Sequence, residues 1–179
     1  MKLDNLYYLN ELAYNLLLKI KIDIGKPVNT YKIAKALNLE VHSFLALTKE
    51  DINNINNSVV TADCFIKKTN NKYSIYINSK LPLKKIRYLL ALEVARYLLY
   101  KAEVRNYYET LNNLITLLLV PLFTLFFISD ISKESIMKLY DCDETIASRA
   151  ISLFRKRNKK FGSKLFQYEM SYFISTVEC

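Results

Sequence analysis

The spacing of apolar residues changes twice along this chain, and that order of periods restricts the folds open to it. Over residues 4–22, Leu6, Leu9, Leu12, Ala13, Leu16, Leu17 and Ile20 recur at intervals of three and four, the pattern of one apolar helix face. Gly25, Lys26 and Pro27 are expected to end that helix. A shorter helix follows over 31–37, with Asn29 or Thr30 free to cap its first amides, Ile33, Ala34 and Leu37 in one stripe, and Asn38 suited to its exit. The middle third then turns to β-branched and aromatic residues. Strands are expected over 41–47, 59–67 and 72–78, with Tyr73, Ile75 and Ile77 alternating against Ser74 and Tyr76. Thr69, Asn70 and Asn71 supply a turn between the last two, and the Asn-rich DINNINNS reads as a surface loop between the first two.

From Pro82 the helical period returns and persists. It predicts helices over 83–101, from about 106 through the apolar run LITLLLVPLFTLFFI, and over 133–140. Asp141 and Glu144, three apart, form a capping-box arrangement that starts a further helix through residue 155. The expected class is α+β: amino-terminal helices, a small three-stranded sheet and a helical carboxy-terminal half. One domain over 1–160 is expected, with a helix-turn-helix-like pair at about 132–156, followed by an aromatic tail over 161–179 that carries Phe166, Tyr168, Met170, Tyr172 and Phe173. Such a tail suits either packing on its own domain or contact with another protein, as do Tyr7, Tyr8, Tyr107 and Tyr108.

Scarcity excludes several chemistries. Two glycines in 179 residues cannot build a glycine-rich phosphate loop. One histidine, His42, rules out two-histidine metal sites and leaves little choice of imidazole base. His42 reads as a half-buried structural residue, and a nucleophilic pairing with Cys64 would need a third orienting group and a cleft. Cys64, Cys142 and Cys179 are scattered with no C-x-x-C, as reduced thiols of a cytoplasmic protein would be. The amino terminus lacks the uninterrupted apolar core of a signal peptide. The apolar run 114–128 is too short to span a bilayer and carries Pro121, so a helix buried on all sides and broken near that proline is expected, with no membrane partner.

The segment IRYLLALEVARYLLY resembles the active-site helix of the ImmA/IrrE family of zinc metallopeptidase domains, R-x-x-x-A-H-E-x-x-H-x-L-L. Arg87, Ala91, Glu93, Leu98 and Leu99 keep that pattern, while Leu92 and Arg96 stand where the two zinc-binding histidines would be. Aligning Pro121 on the family's E-A-N-x-F-A-x-x-L-L-x-P places Leu118 and Leu119 on its leucines, Asn112 on its asparagine and Thr110 on the third ligand, with Glu109 one residue away. PVNTYKIAKALNLEV, SIYIN and IMKLYDCDETIASRAISLF are similar to three further family segments in the same order, so the likeness spans roughly residues 6–155.

The resemblance implies a zincin-like fold and descent from proteins that often accompany, and cleave, helix-turn-helix repressors of mobile elements or stress responses. The residues at the metal positions imply no metal and no other cofactor. Leucine has no lone pair to donate, and arginine is a permanent cation with no acceptor. Glu93 is the remnant of the general base, and without a metal-activated water it has no route to peptide hydrolysis. Arg96 has two readings: its guanidinium pairs with Glu93 and with Glu109 or Thr110 in place of the lost metal, or it points into water.

The leading expectation is therefore a catalytically inactive pseudo-peptidase that binds a protein partner, such as a repressor. A divergent peptidase with a site relocated to Glu93, Glu109 and a cysteine is the enzymatic alternative. Another rests on the net charge of +9. Arg155, Lys156, Arg157, Lys159, Lys160 and Lys164 cluster after the helix-turn-helix-like pair, in which Ala147 and Ile151 are expected to face inward and Arg149 outward, and with Arg149 they could neutralise nucleic-acid phosphates. Thr145 and Ser148 are modest candidates for reading bases, and a solvated helix end explains the same cluster.

Overall fold

The computed structural model describes residues 5–47, 63–104 and 107–177. The protein is α+β, with a small mixed sheet and a helical carboxy-terminal half. The DINNINNS segment and residues 59–62 of the expected second strand lie outside the described residues. The chain divides into two compact units, Met1–Asn29 with Val104–Cys179, and Thr30–Glu103.

The second unit holds the sheet. Helix α2 (Thr30–Ala36) is followed by β1 (Glu40–Ser43), which pairs in parallel with β3 (Lys72–Ile77), and β3 pairs antiparallel with β2 (Cys64–Thr69). The strand expected over 41–47 is shorter, because a 3₁₀ turn takes over at Phe44–Ala46, where the Ser43 hydroxyl accepts from the Leu45 amide. Thr69 pairs with Lys72, leaving Asn70 and Asn71 as a two-residue loop at φ 48° and 63°. Positive φ at both positions makes a type I′ turn, whose twist matches that of the flanking strands.

Strand alternation sends Cys64, Ile75 and Ile77 to a buried face, and Phe65, Tyr76 and His42 to the other. Helix α3 (Leu83–Lys101) covers the buried face with Ile86, Leu90, Ala91, Val94 and Leu98, and Tyr97 meets Tyr73 edge-on at 5.1 Å. Its boundaries are those the periodicity predicts.

The first unit is helical. Helix α1 (Asn5–Lys19) buries Leu9, Ala13, Leu16 and Leu17, and it ends earlier than Gly25, at Lys21, which takes φ 51°. It packs on α4 (Tyr107–Leu119). Residues 114–125 are buried without interruption, and the helix stops before Pro121, which opens a 3₁₀ turn over Leu122–Phe127. The break follows from chemistry: proline cannot donate the next helical hydrogen bond. Among the described residues no helix is long and apolar enough to cross a membrane.

Helix α5 (Lys133–Tyr140) is capped by Ser132, whose side chain accepts from the Ser135 amide. Asp141 does not start the last helix as a capping box would require. It closes α5 in the left-handed conformation at φ 45°, and α6 (Glu144–Val177) begins with the Ala147 amide bonded to the Asp143 carbonyl. A short polar side chain tolerates that conformation, so the carboxylate serves a helix end here. Helix α6 runs well past the expected stop at 155 and breaks at Gly162, φ 57° and ψ −148°, beside the boundary expected at 160.

Candidate functional site

Helix α3 carries the residues on which the resemblance turns. Glu93 lies on its buried face at 2% exposure, and Arg96, one turn on, reaches back so that Nη1 donates to Glu93 Oε1 at 2.6 Å. Positions three apart are helical neighbours, so this pair closes without distorting the backbone. The two ends differ in environment, the arginine side chain remaining 45% exposed. Burial pushes the Glu93 carboxyl above the ordinary carboxylate range, and the charge and hydrogen bond of Arg96 pull it part of the way back.

Cys64, at the start of β2, belongs to the same neighbourhood. Burial and then the Glu93 carboxylate push its thiol up to about 12, against an opposing pull from Arg96. A thiol held that high is protonated at neutral pH and is a poor nucleophile. The His42 ring projects from the opposite face of the sheet, where Nε2 lies 3.2 Å from Glu40 Oε2, so alternation separates the cysteine from the imidazole. Sequence reasoning did not place Cys64 beside Glu93. The alternation of CFIKKT puts Cys64 on the same strand face as Ile66, but only the packing of α3 on that face brings it near Glu93.

The zinc that the resemblance implies can be tested against this donor set. Leu92 is half-buried hydrocarbon, and the Arg96 guanidinium is a cation already engaged with the one carboxylate that could act as base. These groups do not fit a divalent cation. Among the described residues no group of three or more His, Cys, Asp or Glu side chains is arranged to hold a metal ion. Glu109 and Thr110 lie on α4 in the first unit, the former exposed and the latter buried.

The basic residues of α6 fall on different sides of the helix. Arg155, Lys156, Lys159 and Lys160 are exposed, as are Thr145 and Ser148, whereas Arg149 and Ile151 are half-buried and Ala147 is buried. Arg157 is 1% exposed, with its guanidinium over the Phe126 ring at 5.6 Å. The helical period explains the difference. Residue 157 continues the buried stripe of Ile146, Ala150, Leu153 and Phe154, so its charge faces the interior instead of solvent. In the tail, Met170 is half-buried, while the side chains of Lys164, Phe166, Tyr168, Tyr172 and Phe173 lie outside the described set. Tyr108 on α4 is 79% exposed.

No protein-family model, curated protein or solved structure matches the chain. The ImmA/IrrE resemblance therefore rests on the residues quoted for it.

Proposed function

We propose that this protein is a catalytically inactive relative of the ImmA/IrrE peptidases that serves as a protein-binding regulatory module, with the Arg96–Glu93 ion pair taking the position of a metal bridge. The observation that supports this reading is the 2.6 Å bond between Arg96 Nη1 and a carboxylate that is almost wholly buried. A general base must meet water and its substrate, and a metal ligand must offer a lone pair toward the ion. Here the carboxylate is turned inward, and the residue a turn later presents a positive charge. Such a frame can still hold a partner surface, and the class of partner the resemblance points to is a helix-turn-helix regulator.

The test is paired. Elemental analysis of the purified protein is expected to find no stoichiometric zinc. Incubation with a partner isolated by affinity capture from the source cell is expected to leave that partner bound and uncut at micromolar concentration. A tightly held transition metal, or reproducible cleavage of the partner, would overturn the reading.

The nucleic-acid alternative draws on the exposed Arg155, Lys156, Lys159 and Lys160. It predicts duplex binding that weakens steeply with salt, because each phosphate contact releases a counterion.

A further inference from the structure

A second feature of the Thr30–Glu103 unit uses none of the residues on which the proposed function rests. Between α2 and β1 lies an open cleft of about 690 Å³, lined among others by Tyr31, Lys35, Asn38, Glu40, His42 and Lys72. The sequence explains how these side chains come together. Tyr31, Lys35 and Asn38 follow one another at spacings of four and three, which sets them on one face of the helix and its exit. Glu40 and His42 are alternate residues of β1 and share a strand face, while Lys72 begins the neighbouring strand β3.

The lining chemistry is selective. Lys35 and Lys72 are exposed and have no ion-pair partner among the described residues. Tyr31, at 43% exposure, offers a large aromatic surface. The His42 ring is held in a row of tilted and stacked rings, 5.4 Å from Tyr76, which is 5.3 Å from Phe65, itself 5.7 Å from Phe44. That row fixes the imidazole in place, so a ligand meets it already positioned. Glu40 engages His42 through Oε2, leaving Oε1 as an acceptor. Two free ammonium groups favour an anion, two aromatic rings favour a planar group, and one carboxylate oxygen favours a ligand that also brings hydroxyl or amino donors.

We propose that this cleft binds a nucleoside monophosphate, free or as a unit of a single strand, with the phosphate on Lys35 and Lys72, the base against Tyr31 and His42, and the ribose or an exocyclic amine on Glu40. The cleft is open to solvent, and its volume is large enough to seat a small organic ligand. An acidic peptide would satisfy the lysines alone and leave the aromatic walls without a matching partner. Base stacking on aromatic side chains is tolerant of base identity, so adenosine monophosphate is a fair probe.

The experiment is calorimetric titration of the full chain with adenosine monophosphate, adenosine, a six-nucleotide single strand and an oligoglutamate peptide. Adenosine monophosphate is expected to bind at least about tenfold more tightly than adenosine, the share of one charge-assisted contact. The double variant K35A/K72A should lose about tenfold or more for the nucleotide and little for adenosine, and Y31A should weaken both. All three positions are exposed, so circular dichroism and melting temperature should match the parent protein. Tighter binding of the single strand than of the mononucleotide would assign the site to nucleic acid, and equal binding would assign it to the free nucleotide; either supports the proposal. It is overturned if neither nucleotide probe binds at millimolar concentration, if K35A/K72A leaves nucleotide binding unchanged, or if the oligoglutamate binds with the same lysine dependence while adenosine monophosphate does not.

Discussion

Arg96 Nη1 donates to Glu93 Oε1 at 2.6 Å, joining a half-exposed cation to a carboxylate that is 2% exposed. Arg96→Ala would leave that carboxylate buried without its partner. Truncating one member of a fully buried pair costs several kcal/mol, but water screens the outer half of this one, so about 1–2 kcal/mol is the expected loss, read from urea denaturation.

The same pair sets a pH dependence whose sign runs opposite to that of an ordinary salt-bridged acid. Burial holds the Glu93 carboxyl above its unfolded value even with Arg96 beside it. Between the unfolded and folded values the native state binds more protons than the unfolded one, so this group's contribution to stability falls as pH rises through that window and is level above it. Glu93→Gln should flatten that slope, and Arg96→Ala should carry it to higher pH by removing the opposing pull. Melting temperature against pH for the three proteins checks both statements.

Adding zinc should leave the melting temperature unchanged. A ligand that binds only the native state stabilises it in proportion to the logarithm of its concentration over the dissociation constant, about 2.7 kcal/mol at a hundredfold excess. Leu92 and Arg96 provide no lone pairs for such binding. A rise with zinc that a chelator reverses would count against the proposal of an inactive site.

Cys64 should resist alkylation at neutral pH in the folded protein. Its thiol is 6% exposed and pushed up to about 12, so both access and thiolate are lacking. Mass spectrometry of the peptide that contains it should show modification in denaturant and almost none in buffer. Rapid labelling under native conditions would instead support the enzymatic alternative built on a cysteine.

How far the sequence could be read depended on whether local or distant contacts decided each feature. The helix over Leu83–Lys101 follows from spacing alone, because a long apolar stripe admits one period. The break at Pro121 follows from the missing amide donor. Asp141 was ambiguous, since the residue types that cap a helix start also tolerate the left-handed turn that ends one, and only the three-residue gap between α5 and α6 decides between them. Arg157 reads as one more surface cation until the stripe of Ile146, Ala150, Leu153 and Phe154 is extended by a turn. The nearness of Cys64 to Glu93, and the cleft between α2 and β1, depend on strand register and helix packing that pair residues far apart in the chain, which no local pattern encodes.

A chain of hydrogen bonds in the first unit yields a prediction independent of the candidate site. Tyr140 is fully buried at the end of α5, and its hydroxyl accepts from the Gly25 amide. It also meets the Thr124 hydroxyl, which in turn donates to the Pro121 carbonyl at 2.6 Å. With the threonine proton committed to Pro121, the tyrosine proton must point to Thr124, so the relay has one consistent direction from the α1 exit to the 3₁₀ turn. Tyr140→Phe removes the middle of the relay, taking the acceptor from the Gly25 amide and the donor from the buried Thr124 hydroxyl, at a cost of about 1–3 kcal/mol with little change in packed volume. Thr124→Val leaves the tyrosine its Gly25 donor but without an acceptor for its proton, and should cost a similar amount. Because both substitutions break one shared relay, the double variant should cost clearly less than the sum of the two, a non-additivity that a double-mutant cycle in urea measures directly. Additive costs would mean that the two hydroxyls act separately.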